Sequence, residues 1–386
     1  MRLLSIINLS NREVPGCDSG VIFHRLLFGR LSAEGWECVV ASPIDLDIPG
    51  VRHVGVESGY SKYDVRFRFD WDAYAAAIRD VRPDCVFVHQ CELVTNFRAL
   101  LTTEGSSALL ITYIHYWPVY RIGDDGQIEW DQSLNHSNLA EIILLRILEG
   151  VQACDICFVA SRYSKELLNK AMARYNRKYD ETKVRLLPCP ADPFLMPEEH
   201  IGANSDSRQI IYNHRLYKQY GTEQLLTIID SMREEDATFV ITDFFAQRNS
   251  FRKALEPDVD RYLGLLKEKS NVRIRDDGDR RGVYRDDIIA RSRVGLGPFR
   301  VNASWSMSSV DCLGMGIPVV CPRFASFPEF VPSPLLYSDT KGAIDLLRRL
   351  LVDEEFYQMC SREGRAMVRE FHVDRVSRQF LRTIMG

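Results

Sequence analysis

Residues 297–331, GPFRVNASWSMSSVDCLGMGIPVVCPRFASFPEFV, read as loop, helix, strand and loop. The run Asn302-Ala303-Ser304-Trp305-Ser306-Met307-Ser308-Ser309 supplies hydroxyls that cap a helix start. It also leaves backbone N–H groups at that end, where the macrodipole favours an anion such as a diphosphate. Val310 to Gly314 continue the helix and Gly316 stops it. Ile317-Pro318-Val319-Val320 is a short apolar run of the kind used by a buried parallel strand, and it opens into Phe324-Ala325-Ser326-Phe327-Pro328-Glu329. Ligands in open α/β sheets sit beyond the carboxyl ends of strands. A phosphate seat and the carboxylate of Asp311 therefore fall within about two helical turns of each other, near a strand end.

These residues resemble the nucleotide-sugar signature of retaining GT-B glycosyltransferases of the large family that includes glycogen and sucrose synthases (glycosyltransferase family 4-like). That signature runs Glu-x7-Glu, a small-residue helix, Gly-x-Pro-Val-Val and then Pro-Glu. Asp311 stands at the second Glu, and Gly316, Pro318 to Val320, Pro328 and Glu329 match. The resemblance implies that Asp311 holds the donor ribose and that Ser306 and Met307 give amides to phosphate. The first Glu, which touches the donor sugar in the family, falls on Ala303, with Asn302 and Ser304 as polar neighbours able to replace it. The fold implied is α/β, GT-B: two Rossmann-like doubly wound domains facing across a cleft.

A chain of 386 residues suits two domains better than one. With 46% hydrophobic and 26% charged residues, both halves can build cores. A net charge of −4 argues against tight non-specific nucleic-acid binding and leaves room for a local basic groove. Ten scattered cysteines without framework spacing read as reduced thiols. No apolar run reaches the roughly 18 residues of a membrane span, and MRLLSIINLSNREVPG is too weakly apolar for a signal peptide, so the expectation is a cytoplasmic protein with no membrane partner.

The expected boundaries are an acceptor domain over 1–196, a linker over 197–207, a nucleotide-sugar domain over 208–372, and a helix over 373–386 crossing back onto the first domain. In the first half, Leu3 to Asn8 is a strand leading through a loop with Gly16 and Gly20 into a helix. That is a nucleotide-fold opening without a GxGxxG; the resemblance makes these glycines the places where donor phosphate or acceptor approaches the backbone. Asp84 to His89 and Ala108 to Ile114 are further strands, and His89 and His115 stand at their C-terminal ends, pointing toward a ligand crevice. The resemblance places His115 against the donor sugar; His89 is assigned to the acceptor side. Tyr116, Trp117 and Tyr120 follow on a loop and read equally as a packed hairpin or as a stacking platform for an acceptor.

In the second half the strand Ile210-Ile211-Tyr212 leads into Asn213-His214-Arg215-Leu216-Tyr217-Lys218-Gln219-Tyr220-Gly221 and a Thr222-capped helix. The family reads Gly-Arg and then Lys-Gly here, and its Arg and Lys clamp the donor diphosphate. Arg215 matches, Tyr220 falls on the lysine, and Lys218 lies two residues early. A guanidinium fork with an ammonium neutralises a leaving diphosphate without metal, so no essential metal and no cofactor are expected. The Arg280 to Arg293 run, mixed with aspartates, reads as a solvated face. The resemblance implies a UDP-glucose-like donor. A further likeness, to the branch that glycosylates nucleobases (tRNA queuosine mannosyltransferases and phage DNA glycosyltransferases), implies DNA or tRNA as acceptor, with a small metabolite or glycan as rival. A non-catalytic nucleotide-sugar-binding protein is the alternative of another class, favoured by Ala303 and Tyr220.

Overall fold

The computed structural model describes residues 1–9, 18–57, 66–130, 139–197, 207–242, 256–277 and 281–386. The chain forms two compact units, Met1–Pro190 with Val373–Gly386, and Ala191–His372. The second unit thus begins at Ala191, before the expected boundary at 196. Of the expected linker, residues 198–206 lie outside the described residues.

The first unit is built on seven parallel strands: β1 Arg2–Ile6, β2 Glu37–Ser42, β3 Arg52–Gly55, β4 Cys85–Val88, β5 Leu109–Ile114, β8 Ile156–Val159 and β9 Val184–Leu186. Their order is β3-β2-β1-β4-β5-β8-β9, and β6 Val119–Ile122 pairs separately with β7 Ile128–Trp130. Every residue of β4 is buried, which is why it reads as an unbroken apolar run: helices cover both faces of a parallel sheet. Among those helices are α1 Ser19–Ala33, α2 Trp71–Val81, α3 Val94–Thr103, α4 Leu139–Ala153 and α5 Arg162–Arg174. Asp18 starts α1 by accepting from the N–H groups of Gly20 and Val21, and Ser161 starts α5 by accepting from Ser164 N–H. The C-terminal helix Val373–Met385 belongs to this unit. Phe380 packs edge-on to Phe87 and beside Phe158, and Asp374 pairs with Arg30 of α1 at 2.9 Å.

The second unit has six parallel strands: β10 Gln209–Tyr212, β11 Thr238–Ile241, β12 Val272–Ile274, β13 Val294–Leu296, β14 Val319–Pro322 and β15 Leu336–Tyr337, in the order β12-β11-β10-β13-β14-β15. Its helices include α6 Thr222–Ser231, α7 Asp258–Lys267, α8 Met307–Gly314, α9 Thr340–Val352 and α10 Glu354–Arg369. Gly316, at φ +83°, follows α8 and turns the chain into β14, as read from the sequence. Thr222 does not cap α6. Gly221 occupies the cap position, and the Thr222 hydroxyl instead donates to the Tyr217 carbonyl at 2.9 Å.

Both sheets run outward from their first strand, return and continue on its other side. The reversal lies between β1 and β4 in one unit and between β10 and β13 in the other. The loops leaving those strands diverge to opposite faces of the sheet and open a crevice there, where ligands of doubly wound folds bind.

Candidate functional site

In the second unit the reversal gathers the loop after β10, the loop after β13 and the start of α8. Asn213, directly after β10, donates through Nδ2 to the Tyr284 hydroxyl at 2.7 Å and to the Ser308 carbonyl at 3.2 Å. Tyr284 donates to Oδ2 of Asp311 at 3.2 Å. It heads a π-helical segment, Tyr284–Ile289, a local irregularity common at functional sites. Asp311 has its carboxyl raised to about 8, by burial first and by the Asp192 carboxylate second, with the Tyr284 hydrogen bond and Arg281 pulling it down.

Ser306 caps α8, its Oγ accepting from Ser309 N–H at 3.3 Å. The amides of Met307 and Ser308 stand at the helix head, where they have no acceptor within the helix. Ser308 Oγ bonds Nδ1 of His214 at 3.1 Å. His214 is 7% exposed, its Nε2 has no hydrogen-bond partner, and burial lowers its pKa to about 3, so it is neutral. The loop after β14 closes the floor: Ser326 donates both its hydroxyl, at 2.7 Å, and its N–H, at 3.2 Å, to the Ala303 carbonyl. Ala325 is held there at φ +52°, a left-handed conformation costly for alanine. Glu329 follows in the short helix Phe327–Phe330.

Among the sequence-derived residues of this unit, Arg215 is half-buried with its guanidinium carbon 5.7 Å from the Tyr217 ring centre, and Lys218 is exposed at the start of the turn Lys218–Tyr220. Ser304 and Asn302 are both buried. Asn302 does not stand free in place of the missing glutamate: its Oδ1 accepts from Nε of Arg300 at 2.5 Å. Arg300 also donates through Nη1 to the Tyr220 hydroxyl at 2.7 Å. The reading of the arginine-rich run as a solvated face fails at Arg293, which is 1% exposed, lies 3.5 Å over the Tyr357 ring and pairs with Glu354 at 2.6 Å.

In the first unit the reversal gathers histidines. His89 and His115 have ring centres 4.1 Å apart, and His24 of α1 lies 4.8 Å from His89. His24 Nδ1 lies 2.7 Å from the Gly20 carbonyl, which only accepts, so Nδ1 carries the proton and Nε2 accepts from the Ser5 hydroxyl at 2.8 Å. Burial lowers the pKa of His24 to about 4. Burial also holds His115 and His89 well below the ordinary histidine value, with mutual repulsion second: His24 acts on His115, and His115 and then His24 act on His89. His115 Nε2 and His89 Nδ1 have no hydrogen-bond partner. Gly20 is required here because a Cβ would fall 2.5 Å from His89 Nε2. Gly16 lies outside the described residues.

The aromatic platform is only partly present. Trp117 is fully buried with its indole N–H donated to Ser164 of α5 at 2.8 Å, so it has no ring face for a ligand; packing of the β6–β7 hairpin against α5 claims it. Tyr116 carries the Arg66 guanidinium 4.8 Å over its ring. Tyr120 sits where the β6–β7 register shifts, a bulge that redirects a side chain, and stays half-buried.

Sequence reasoning missed His24, Arg300 and Tyr284. His24 had a signal: it is four residues past Gly20 on the opening helix, the spacing that returns a side chain to the same face. No local signal marks the other two. Among the described residues, no helix is long and apolar enough to cross a membrane.

No family model and no curated protein matches the sequence. Solved structures do match. Anabaena HepE, determined with UDP-glucose, superposes with a TM-score of 0.71 at 11% identity, covering 100% of this chain and 99% of that one. Sucrose-phosphate synthase from Thermosynechococcus elongatus gives 0.71 at 15%, covering 100% and 98%. The UDP-forming α,α-trehalose-phosphate synthase from Burkholderia vietnamiensis gives 0.69 at 14%, covering 100% and 97%. At such identities the likeness is one of architecture, and over its whole length the chain has the GT-B fold of these glycosyltransferases.

Proposed function

We propose that the protein is a hexosyltransferase that moves a sugar from a nucleotide diphosphate sugar, UDP-glucose-like, to an acceptor hydroxyl with retention of configuration. One observation carries the reading: at the reversal point of a sheet, Asn213 and His214 of the loop after β10 bond to Ser308 at the head of α8, three residues before Asp311, and Tyr220 of the same loop bonds to Arg300 of the loop after β13. As the glycosidic bond breaks, charge develops on the leaving diphosphate. Arg215 and Lys218 are the cations assigned to it, with the amides of Met307 and Ser308 as fixed donors. Asp311 receives the ribose hydroxyls. His115, neutral at pH 7 and with Nε2 unpartnered, is assigned to a hydroxyl of the sugar, and His89 to the acceptor. Ser304 and Glu329 line the remaining donor-side loops.

For the acceptor, a hydroxyl on a modified nucleobase of DNA or tRNA is the first class to test, with Tyr116 and Tyr120 as stacking groups. The burial of Trp117 favours the second reading, a small metabolite or glycan. The test is mass spectrometry of products after incubation with UDP- and GDP-hexoses and hydroxymethylated DNA, bulk tRNA or small acceptors, with the anomer assigned by NMR. Transfer with the donor's configuration kept supports the reading. An inverted product removes retention, and donor binding without transfer or hydrolysis makes this a binding protein.

A further inference from the structure

We propose that Arg300 is the principal cation on the β13 side of the diphosphate site and that Tyr220 is the residue that positions it; the inference rests on the donor reading above. Arg300 follows β13 and Tyr220 follows β10, so the two come from opposite sides of the reversal point. The loops are locked together. Phe299 N–H donates to the Tyr220 carbonyl at 3.0 Å, and Gly221, at φ +74°, is packed so tightly that a Cβ would fall 2.4 Å from that of Phe299.

The guanidinium is fixed by neutral groups. Nε goes to Asn302 Oδ1 at 2.5 Å, Nη1 to the Tyr220 hydroxyl at 2.7 Å, and the guanidinium carbon lies 4.9 Å over the Tyr220 ring. Asn302 is itself 4% exposed, so its amide is a fixed acceptor. Among the described residues no carboxylate pairs with Arg300. The arginines just upstream differ: Arg281 pairs with Asp192, Arg285 with Asp286, Arg291 with Asp287 and Arg293 with Glu354. A half-buried cation held only by neutral acceptors retains an unmet electrostatic demand, which an anionic ligand satisfies. A guanidinium has five N–H donors; among the described residues two are spent on the protein, and the other three, both of those on Nη2 included, can meet a phosphate. This pair supplies charge where the sequence has Tyr220 in place of a lysine.

The test is calorimetric binding of UDP and GDP, and of uridine and guanosine, to the full chain and its variants. Arg300→Ala is expected to weaken the diphosphate about ten- to hundredfold, the value of a lost charge-assisted contact, with the nucleoside unchanged. Tyr220→Phe removes only the hydroxyl; it is expected to cost about three- to tenfold and to add nothing in the Arg300→Ala background. Arg300→Lys keeps charge and bulk and carries the test if Arg300→Ala melts early; it retains more diphosphate affinity than Arg300→Gln. Equal losses for nucleoside and diphosphate, or unchanged binding in both single variants while Arg215→Ala abolishes it, overturn the proposal and leave the donor reading standing. A wild-type protein that binds neither diphosphate overturns the donor reading, and this inference with it.

Discussion

Asp311→Asn separates the electrostatics of the site from its shape. An aspartate with an ordinary value of 3.8 is raised to about 8 in the folded protein, so between those values the folded state holds a proton that the unfolded chain has lost. The folded pKa lies above the unfolded one. Stability is therefore unaffected at the acid end, falls as pH rises from 4 to 8, and levels off above. At about 1.36 kcal/mol per unit, a displacement of about four units is worth of the order of 5 kcal/mol by pH 8. Asparagine carries no charge and still accepts the Tyr284 hydrogen bond, so the variant lacks this decline. Melting curves of the two proteins should lie closest at pH 5 and separate progressively to pH 8, the variant melting about 10 °C higher there for a unit of this size. On the proposed donor reading, nucleotide binding moves the other way: ribose hydroxyls would bind the ionised carboxylate, so wild-type affinity is expected to rise with pH toward 8, while the variant binds weakly throughout. Differential scanning fluorimetry and calorimetry over pH 5–9 read both. Parallel melting curves, or a wild-type protein that is the more stable at pH 8, would refute the placement of Asp311 in a buried, like-charged environment.

Three further outcomes are expected. Gly20→Ala places a methyl against His89 Nε2 and should destabilise the first unit by about 1–3 kcal/mol, read by thermal melting. His24 has a folded pKa near 4 against an ordinary 6.5, so its contribution is intact above 6.5 and is lost as pH falls toward 4; His24→Gln should flatten the stability profile of the first unit in that window. Trp117→Phe should lower the melting temperature by the value of a lost buried hydrogen bond, about 1 kcal/mol, without changing acceptor KM; a changed KM would return Trp117 to the site.

The strands were legible because parallel strands are buried on both faces and leave apolar runs: the run read as Ala108 to Ile114 is β5 Leu109–Ile114. So was the turn at Gly316, which depends only on neighbouring residues. Contacts that depend on strand order were not legible. Arg300 meets Tyr220 across 80 residues because β13 lies beside β10, and Tyr284 meets Asn213 across 71 for the same reason. Trp117 stayed open between a packed hairpin and a stacking platform because the partner that settles it, Ser164, lies 47 residues on.

The two units share one topological plan and fill its reversal point with opposite chemistry. In the first, burial keeps His24, His89 and His115 neutral, with repulsion from neighbouring histidines adding to it at His89 and His115, so the crevice there offers hydrogen bonds without charge. That suits sugar and acceptor hydroxyls. It would stabilise a diphosphate poorly, because uncharged imidazoles contribute only weak dipoles to a dianion. In the second, Arg300 is pinned by an amide and a phenol instead of by carboxylates, Lys218 is exposed, and the head of α8 adds its own positive end. Asp311, bonded to Tyr284 beside the head of α8, is itself kept largely protonated at neutral pH, so it subtracts little from that positive field. The anion-binding half of the proposed chemistry is therefore assigned to Ala191–His372, and charge reversal at Arg300 is expected to abolish diphosphate binding while leaving the histidine cluster of the first unit untouched.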